Sequence, residues 1–278
     1  MKKILSLLIA SLFVLPGCAK EISPEDAEVV AQDIKTHEIN PNSISEIKLK
    51  EKVSVHISGT KNRELTDNKY TESRTYELSS KFNYIHIVSS HSQKDKVENV
   101  DSNSEREEWV YMKNKMLFKA TKIKSKGSEQ KYYSKIEKYS GAIKEFSKVF
   151  DSNVSTVCNE ARGTNFLDTS IFDKYVDEEY QDSFSYVAKF YSSGDGNFRV
   201  IGAAKVEDNE QEDIKTKGVG TLSCNWNKYL LKKASLALTM TTSDGTNKND
   251  LKYDLALSEK VSSIVIPKYP NISSFAQK

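Results

Sequence analysis

Strict alternation of apolar and polar residues from Ile47 to Ile57 is the feature that most limits what this chain can fold into. The apolar side chains share one parity, and lysine, serine and histidine occupy the other. Because successive side chains of a β-strand point to opposite faces, this pattern predicts a strand with one buried and one solvated face. Glu51 is the single break, a charged residue on the apolar parity.

Similar segments recur along most of the chain and are separated by short polar connections. Strands joined by such connections pair antiparallel. A polar, charged stretch at 91–105 is predicted to be a long mobile loop. With the strand at 47–57, we predict a sheet of about eleven strands. The further candidate segments are 70–79, 81–89, 107–114, 116–124, 130–139, 184–190, 198–206, 214–226, 229–242, 251–257 and, last, 261–266.

An amphipathic helix is predicted to begin after Ser23. Ser23 is a favoured N-cap, Pro24 suits the first helical position, and Asp26 stands where a capping acid would. An apolar stripe then recurs at helical spacing. Its members are Ala27, Val30, Ala31 and Ile34.

The strand pattern is interrupted between residues 140 and 178. Apolar residues there recur every three or four positions, which predicts an insertion of two or three short helices. The apolar stripes of these helices must pack against another element of the fold. A single antiparallel sheet of this size would curl. The predicted fold class is therefore α+β: a large curved antiparallel half-barrel with an N-terminal helix and a helical insertion over its concave face.

The first residues have the pattern of a bacterial lipoprotein export signal. Lys2 and Lys3 precede an apolar run at 4–15, and Leu15-Pro16-Gly17 leads to Cys18. The run is shorter than the roughly 20 apolar residues that span a bilayer. We therefore predict a signal peptide at 1–17, lipidation of Cys18 with diacylglycerol and fatty acid such as palmitate, and a tether at 18–22. A single domain would follow at 23–278, outside the cytoplasm and anchored to a cell membrane or an outer membrane.

Charge and cysteine content exclude several classes of protein. Without Lys2 and Lys3 the chain has 39 basic and 39 acidic residues, so it has no electrostatic reason to bind nucleic acid. Beyond Cys18 the cysteines are Cys158 and Cys224, which allow a disulfide in an exported protein or two small buried side chains. Both alternatives remain open, and a four-ligand zinc site is excluded.

The sequence lacks the usual patterns of a catalytic site. It has no Gly-x-Ser-x-Gly elbow and no phosphate-binding glycine loop. His86 and His91 are five positions apart, so on one strand they would face opposite sides and could not share a metal ion. We therefore expect no enzymatic activity, no cofactor and no metal.

The order of elements, the export signal and the ending Ile264-Val265-Ile266-Pro267-Lys268-Tyr269-Pro270-Asn271-Ile272-Ser273-Ser274-Phe275 resemble the LolA/LolB-like half-barrels. The related LppX- and LprG-like lipid-carrying lipoproteins share the same plan. The resemblance covers most of residues 23–275. It implies a strongly curved sheet whose open side is plugged by helices around a hydrophobic cavity.

If the resemblance holds, the ligand would be a lipid, a lipoprotein acyl chain or another amphiphile. For each residue predicted to line the cavity, the alternative is ordinary packing in the core. The candidates for lining the cavity are Trp109, Tyr111, Leu117, Phe118, Phe146, Phe150, Phe166, Leu167, Phe172, Tyr186, Phe190, Trp226, Leu236 and Leu238.

Two functions fit this reading. The first is a membrane-anchored carrier or chaperone that binds an amphiphile in a cavity. The second is a surface lipoprotein with a solid core, whose loops at 91–105, 193–197 and 243–250 bind another protein or mediate adhesion. Inward-facing apolar residues look the same in both cases, so the sequence leaves both open.

Overall fold

A single large sheet dominates the computed structural model, which describes residues 19–61, 64–167, 184–211, 214–244 and 249–278. The predicted α+β class is confirmed: within these residues the sheet is open and almost entirely antiparallel, with thirteen strands and two α-helices. The helices are α1 (Pro24–Thr36) and α2 (Tyr139–Glu160). The strands are β1 (Lys20–Ile22), β2 (Glu46–Lys61), β3 (Glu64–Ser79), β4 (Tyr84–Asp95), β5 (Val100–Lys113), β6 (Met116–Ser125), β7 (Ser128–Ile136), β8 (Phe184–Gly194), β9 (Asn197–Gln211), β10 (Ile214–Asn227), β11 (Leu230–Asp244), β12 (Asn249–Ser262) and β13 (Ala276–Gln277).

The strand order is β1-β8-β9-β10-β11-β12-β2-β3-β4-β5-β6-β7-β13. Two runs of consecutive antiparallel hairpins, β2–β7 and β8–β12, are joined side by side. The junction is the pair β12–β2, whose register extends from Asp250 opposite Thr60 to Ser262 opposite Lys48. The chain passes from one run to the other through α2.

Very short strands occupy both edges of the sheet. The predicted tether is in part strand β1, since Lys20 to Ile22 pair antiparallel with β8, and Glu21 lies 3.4 Å from the Lys189 ammonium. At the other edge β13 pairs parallel with β7. The N-terminal and C-terminal segments are therefore both attached to the sheet.

Both helices lie on one face of the sheet, here called the inner face. Helix α1 packs on β8–β11 through a cluster that includes Phe190 and Cys224. Helix α2 packs on β2–β6 through a second cluster that includes Leu49. The register joins the two regions, because Cys224 lies opposite Ala234, Ala234 opposite Glu259, and Glu259 opposite Glu51.

The other side of β4–β7, here called the outer face, is apolar as well. Tyr84, Trp109 and Tyr111 are buried there beneath the C-terminal segment (263–278). The carbonyl oxygen of Lys268 accepts hydrogen bonds from the Tyr84 hydroxyl (3.1 Å) and from the Trp109 indole nitrogen (3.0 Å). The expectation of a single apolar face is therefore wrong in this half of the sheet. The predicted strand at 261–266 is also wrong, because β12 ends at Ser262 and the chain then crosses onto the outer face.

Helix α1 begins as its sequence predicts. The backbone nitrogen of Asp26 donates a hydrogen bond to the Ser23 hydroxyl (3.1 Å), and Pro24 occupies the first turn. Of the predicted stripe, Ala27, Ala31 and Ile34 are buried against the sheet, and Val30 is partly buried beside them. Val29 points away from the sheet and is 70% exposed.

The first part of the predicted helical insertion is one continuous helix of 22 residues, not two short ones. Its apolar stripe runs unbroken from Ala142 to Cys158, and no proline or glycine interrupts it. A single 3₁₀ turn, Thr164–Phe166, follows, and residues 168–178 lie outside the described part of the chain. Among the described residues, no helix is both long enough and apolar enough to cross a membrane.

The end of α2 is fixed to the β10–β11 hairpin. The Ala161 carbonyl accepts from the Leu231 backbone nitrogen, and the Arg162 carbonyl accepts from the Trp226 indole, both at 2.9 Å. Gly163 then turns the chain with φ +60°, and a Cβ atom there would lie 2.5 Å from Leu231.

The predicted loop at 91–105 is instead the far end of the β4–β5 hairpin. His91 lies opposite Ser104, and the pairing continues to Asp95 opposite Val100. Polar residues form strands here because the backbone hydrogen bonds to β3 and β5 do not require apolar side chains. The hairpin turn spans only the residues between Asp95 and Val100.

A buried charge network supports the outer face. The ring of His86 lies between two carboxylates, with Nδ1 3.1 Å from Glu77 and Nε2 3.1 Å from Glu107. Each ring nitrogen is therefore within hydrogen-bond distance of a carboxylate oxygen. The Lys48 ammonium also binds Glu77, and the His86 ring stacks on Trp109. These partners, His86 above all, lower the pKa of Glu77 from 4.5 to about 2.

We expect Gly163→Ala to destabilise the protein far more than Gly127→Ala. Both glycines have positive φ, so each alanine costs about 1 kcal/mol in backbone strain. At Gly127 the added methyl group meets open space, whereas at Gly163 it overlaps Leu231 and adds on the order of 1–3 kcal/mol. Urea unfolding of both variants measures the difference. Equal losses of stability in the two variants would contradict the role of Gly163 in fixing the end of α2 to the β10–β11 hairpin.

We expect Glu77→Gln to destabilise the protein by about 3 kcal/mol at pH 7, because a buried ion network loses its central acceptor. The lowered pKa of Glu77 means that its contribution is present above about pH 4.5 and is lost as the pH falls towards 2. The difference between wild type and variant in urea unfolding should therefore shrink from pH 7 to pH 2.5. The control variant is Glu137→Gln. Glu137 is an exposed acid paired with Lys135, so this substitution should change the free energy of unfolding little. A difference that does not change with pH would contradict this account.

Candidate functional site

A cleft of about 390 Å³ lies between α1 and the inner face of β8–β10. One wall is the helix, and the floor is formed by apolar side chains of the three strands. Phe166 and Leu167, which follow α2 in the chain, also line the cleft. The other lining residues are Pro24, Ala27, Glu28, Ala31, Gln32, Lys35, Phe190, Phe198, Val200 and Leu222.

The cleft exists because the sheet-facing side of α1 carries small residues. Ala27 and Ala31 are one turn apart and buried, so the helix leaves space above the strands. The rings of Phe190 and Phe198 stack below them with centroids 6.3 Å apart. Glu28, Gln32 and Lys35 contribute polar groups from the helix. The result is an apolar floor with polar groups on one wall, which suits a molecule with an apolar body and a polar end.

Three predicted cavity residues line this cleft: Phe166, Leu167 and Phe190. Trp226 and Leu236 belong to the same core cluster without lining the cleft, and Leu238 is buried on the same strand and parity as Leu236. The others on the inner face, Leu117, Phe146 and Phe150, fill the separate core under α2.

The prediction that Trp109, Tyr111 and Phe118 line the same cavity is wrong. They lie on the outer face, covered by the C-terminal segment. Their neighbours in sequence, Val110 and Leu117, face α2 instead. Strand periodicity alone requires this separation, since adjacent residues point to opposite faces.

For three of the predicted site residues, the structure describes no side chain. Cys18 and Phe172 lie outside the described residues, as does the side chain of Tyr186, although its backbone pairs with Ala204 in β8–β9. The lipidation of Cys18 therefore remains a prediction.

The most important lining residues missed from the sequence are Ala31, Phe198, Val200 and Leu222. The helical stripe contained Ala27 and Ala31, and their small size was the available signal for a gap. The strand residues carried no distinguishing signal, because alternation identifies a buried face but not which part of it is left open.

A second, polar groove of about 460 Å³ crosses β3–β6 on the inner face. Arg74 lies opposite Ser89, and Ser89 opposite Arg106, so the two arginines flank one serine. Each guanidinium already binds a carboxylate, with Arg74 3.1 Å from Glu72 and Arg106 2.8 Å from Glu108. The lining residues are Glu72, Arg74, Tyr76, Ile87, Ser89, Ser90, His91, Ser104, Glu105, Arg106 and Ile123.

A buried acidic cluster lies between the two apolar regions of the inner face. Glu259 is directly opposite Glu51, and the charge of Glu160, at the end of α2, affects both. Burial first, and then Glu51 and Glu160, raise the pKa of Glu259 to about 8. Glu259 is 8% exposed, and its Oε1 atom has no hydrogen-bond partner among the described residues. Glu259 is therefore mainly protonated at pH 7.

The two described cysteines do not form a disulfide with each other. Cys158 and Cys224 are both buried free thiols and belong to different core clusters. Burial raises the pKa of Cys158 to about 11 and raises that of Cys224 further. Both are therefore protonated at neutral pH and behave as small apolar side chains. Within the described residues no three histidine, cysteine or acidic side chains are placed to hold a metal ion.

No protein-family model matches the sequence, and no curated protein is significantly similar to it. Several solved structures show a distant likeness. One is a β-barrel-like protein of the domain of unknown function DUF1849 from Brucella abortus, with 8% identity, 80% of this chain and 99% of that chain covered, and a TM-score of 0.21. Another is the translocator domain of the autotransporter NalP from Neisseria meningitidis, with 6% identity, coverage of 85% and 93%, and a TM-score of 0.17. At these scores the likeness carries no inference about this chain.

We expect Glu259→Gln to stabilise the protein at pH 8 and to change it little at pH 5. A folded-state pKa raised from 4.5 to about 8 means that stability is fully present below about pH 4.5 and is lost as the pH rises towards 8. Glutamine imitates the neutral acid and removes this loss, which is on the order of 4 kcal/mol at pH 8. Urea unfolding at the two pH values measures it, with the exposed Glu98→Gln as control. A Glu259→Gln variant that is less stable than wild type at pH 8 would contradict the raised pKa of Glu259.

Proposed function

We propose that this protein is an extracytoplasmic lipoprotein, anchored through Cys18, that binds a lipid or another amphiphile in the cleft beside α1. We propose binding without catalysis. The observation that carries the proposal is the cleft itself: about 390 Å³ between a helix with small residues and a floor of aromatic and aliphatic side chains. This volume is within the range of small-molecule sites, roughly 300–1,000 Å³.

The position of the cleft relative to the export signal supports this proposal. Pro24, which lines the cleft, is six residues from Cys18, so the two are at most about 20 Å apart. Strand β1 shortens the free tether further by pairing with β8, one of the strands that form the floor. An acyl anchor on Cys18 would hold the cleft close to the membrane surface, where amphiphiles are available.

The order of elements also supports the proposal. An N-terminal helix, a run of antiparallel strands, a helix across the sheet and a second run of strands are the features that resemble LolA/LolB-like half-barrels. In this chain the equivalent of a central cavity under α2 is filled by Phe146, Phe150 and Val154. The space lies instead under the N-terminal helix α1.

The alternative of a surface module that binds proteins through its loops has less support. The segment 91–105 is a paired hairpin, not a loop. The β8–β9 turn packs against Tyr229, which leaves no space for a side chain at Gly196. The third segment, 243–250, lies partly outside the described residues.

We expect Ala31→Phe to reduce amphiphile binding at least about tenfold, because the added ring occupies the cleft. Val29→Phe adds the same ring to the exposed side of the same helix and should bind like wild type. All strands and helices described above lie within residues 20–277, so the chain from Ala19 can be used. Native mass spectrometry with lipid extraction detects a co-purifying amphiphile, and titration with a fluorescent fatty acid measures affinity.

A wild-type chain that carries no amphiphile and does not bind the fluorescent fatty acid would overturn the proposed function. Equal binding by the Ala31 and Val29 variants would place the ligand outside this cleft. Circular dichroism of both variants shows that the fold is retained.

A further inference from the structure

The polar groove on β3–β6 is a second site, separate from the cleft beside α1. The strands β11, β12 and β2 lie between the two sites in the sheet. The groove is accessible, because the side chains of Arg74 and Arg106 are each half exposed. Its volume of about 460 Å³ is typical of a small-molecule site.

The charges of the groove are balanced in place. Arg74 is bound to Glu72, and Arg106 to Glu108, which is next to the groove on β5. Glu105 belongs to the outer face, where its carboxylate lies 3.9 Å from the Lys122 ammonium, and it adds no free charge to the groove. An anionic ligand would have to compete with carboxylates already bound to both guanidiniums. A cationic ligand would meet the guanidiniums themselves, so the groove favours a ligand without net charge.

The groove offers donors and acceptors side by side. The guanidiniums donate, the carboxylates accept, and the hydroxyl groups of Ser89 and Ser104 do both. A ligand hydroxyl group also donates and accepts, so it can bind between a guanidinium and its carboxylate without breaking the pair. Hydrogen bonds to charged groups are stronger than those between neutral groups, which favours such contacts.

Apolar surface lies among these polar groups. Ile87, Ile123 and the ring of Tyr76 line the groove. Sugar rings combine an apolar C–H face with a rim of hydroxyl groups. The groove offers apolar side chains for the face and polar groups for the hydroxyls. Arg74 and Arg106 are two strands apart, roughly 10 Å. Two linked sugar rings bridge such a distance.

We propose that the groove between Arg74 and Arg106 binds a neutral oligosaccharide, with Ser89 at the centre of the site. This site is independent of the proposed amphiphile cleft. The ligand would lie along the row Arg74–Ser89–Arg106, with its hydroxyl groups between the paired side chains and a ring face on Tyr76 or Ile87.

The test uses the chain from Ala19 and three neutral disaccharides: maltose, cellobiose and N,N′-diacetylchitobiose. Saturation-transfer difference NMR detects binding, and titration followed by amide chemical shifts gives the dissociation constant. We expect saturable binding of at least one disaccharide, with shifts at residues 74–76, 87–91 and 104–106. Glucose and glucose 6-phosphate form a matched pair that tests the preference for a neutral ligand.

Ser89→Leu should weaken binding at least about tenfold, because it places an apolar side chain at the centre of the groove. Ser258→Leu introduces the same change at an exposed strand position on the outer face and should bind like wild type. Arg106→Met is a second groove variant. Arg106 is half exposed, and the loss of its surface ion pair with Glu108 should cost the fold little stability.

Absence of saturable binding by all three disaccharides would overturn the proposal. So would equal weakening by the Ser89 and Ser258 variants, or unchanged binding by both groove variants. Binding of glucose 6-phosphate at least about tenfold tighter than glucose would identify an anion site instead and would also overturn it. None of these outcomes depends on the fatty-acid titration of the cleft beside α1.

Discussion

The antiparallel pairing of β12 with β2 is the contact on which the rest of the structure depends. It joins residues 48–60 to residues 250–262, and thereby makes one sheet from two runs of hairpins. Without it the inner face would be interrupted between Ala234 and Leu49, and α2 would not have a continuous surface to cross. Pairing between such distant segments has a large entropic cost of loop closure and is reached slowly in folding. The local hairpins of each run close much shorter loops at a smaller entropic cost, so we expect them to form before the two runs join.

Much of the fold could be predicted because β-strands and helices impose different periods on their apolar residues. The alternation from Ile47 to Ile57 correctly indicated β2, and the capping residues at Ser23 and Pro24 located α1. Alternation failed where both parities are apolar, as at Tyr84–Ile85 and Trp109–Val110. Such strands are buried on both faces, and the covering element for the outer face is a segment without regular secondary structure. Nothing in the local pattern indicates that a distant C-terminal segment returns to that face.

The candidate sites were less predictable than the fold because they depend on register. Arg74, Ser89 and Arg106 form a row only through two successive strand pairings, and the sequence gives no direct measure of either. Glu51 was visible as a charged residue on an apolar parity, but its partner Glu259 was not. The two buried glutamates, Glu77 and Glu259, show why partners matter more than burial. Cationic neighbours lower the pKa of the first, whereas burial and acidic neighbours raise that of the second.

The short strands at the two ends of the sheet have a consequence for behaviour at high concentration. Long unpaired strand edges are templates for the addition of another chain. Here β1 pairs with residues 190–192 of β8, and β13 with Tyr132 and Tyr133 of β7, so within the described residues each edge is covered only along that short stretch. At high concentration, the addition of a second copy would therefore have to begin beside these short strands, along the rest of β8 or β7.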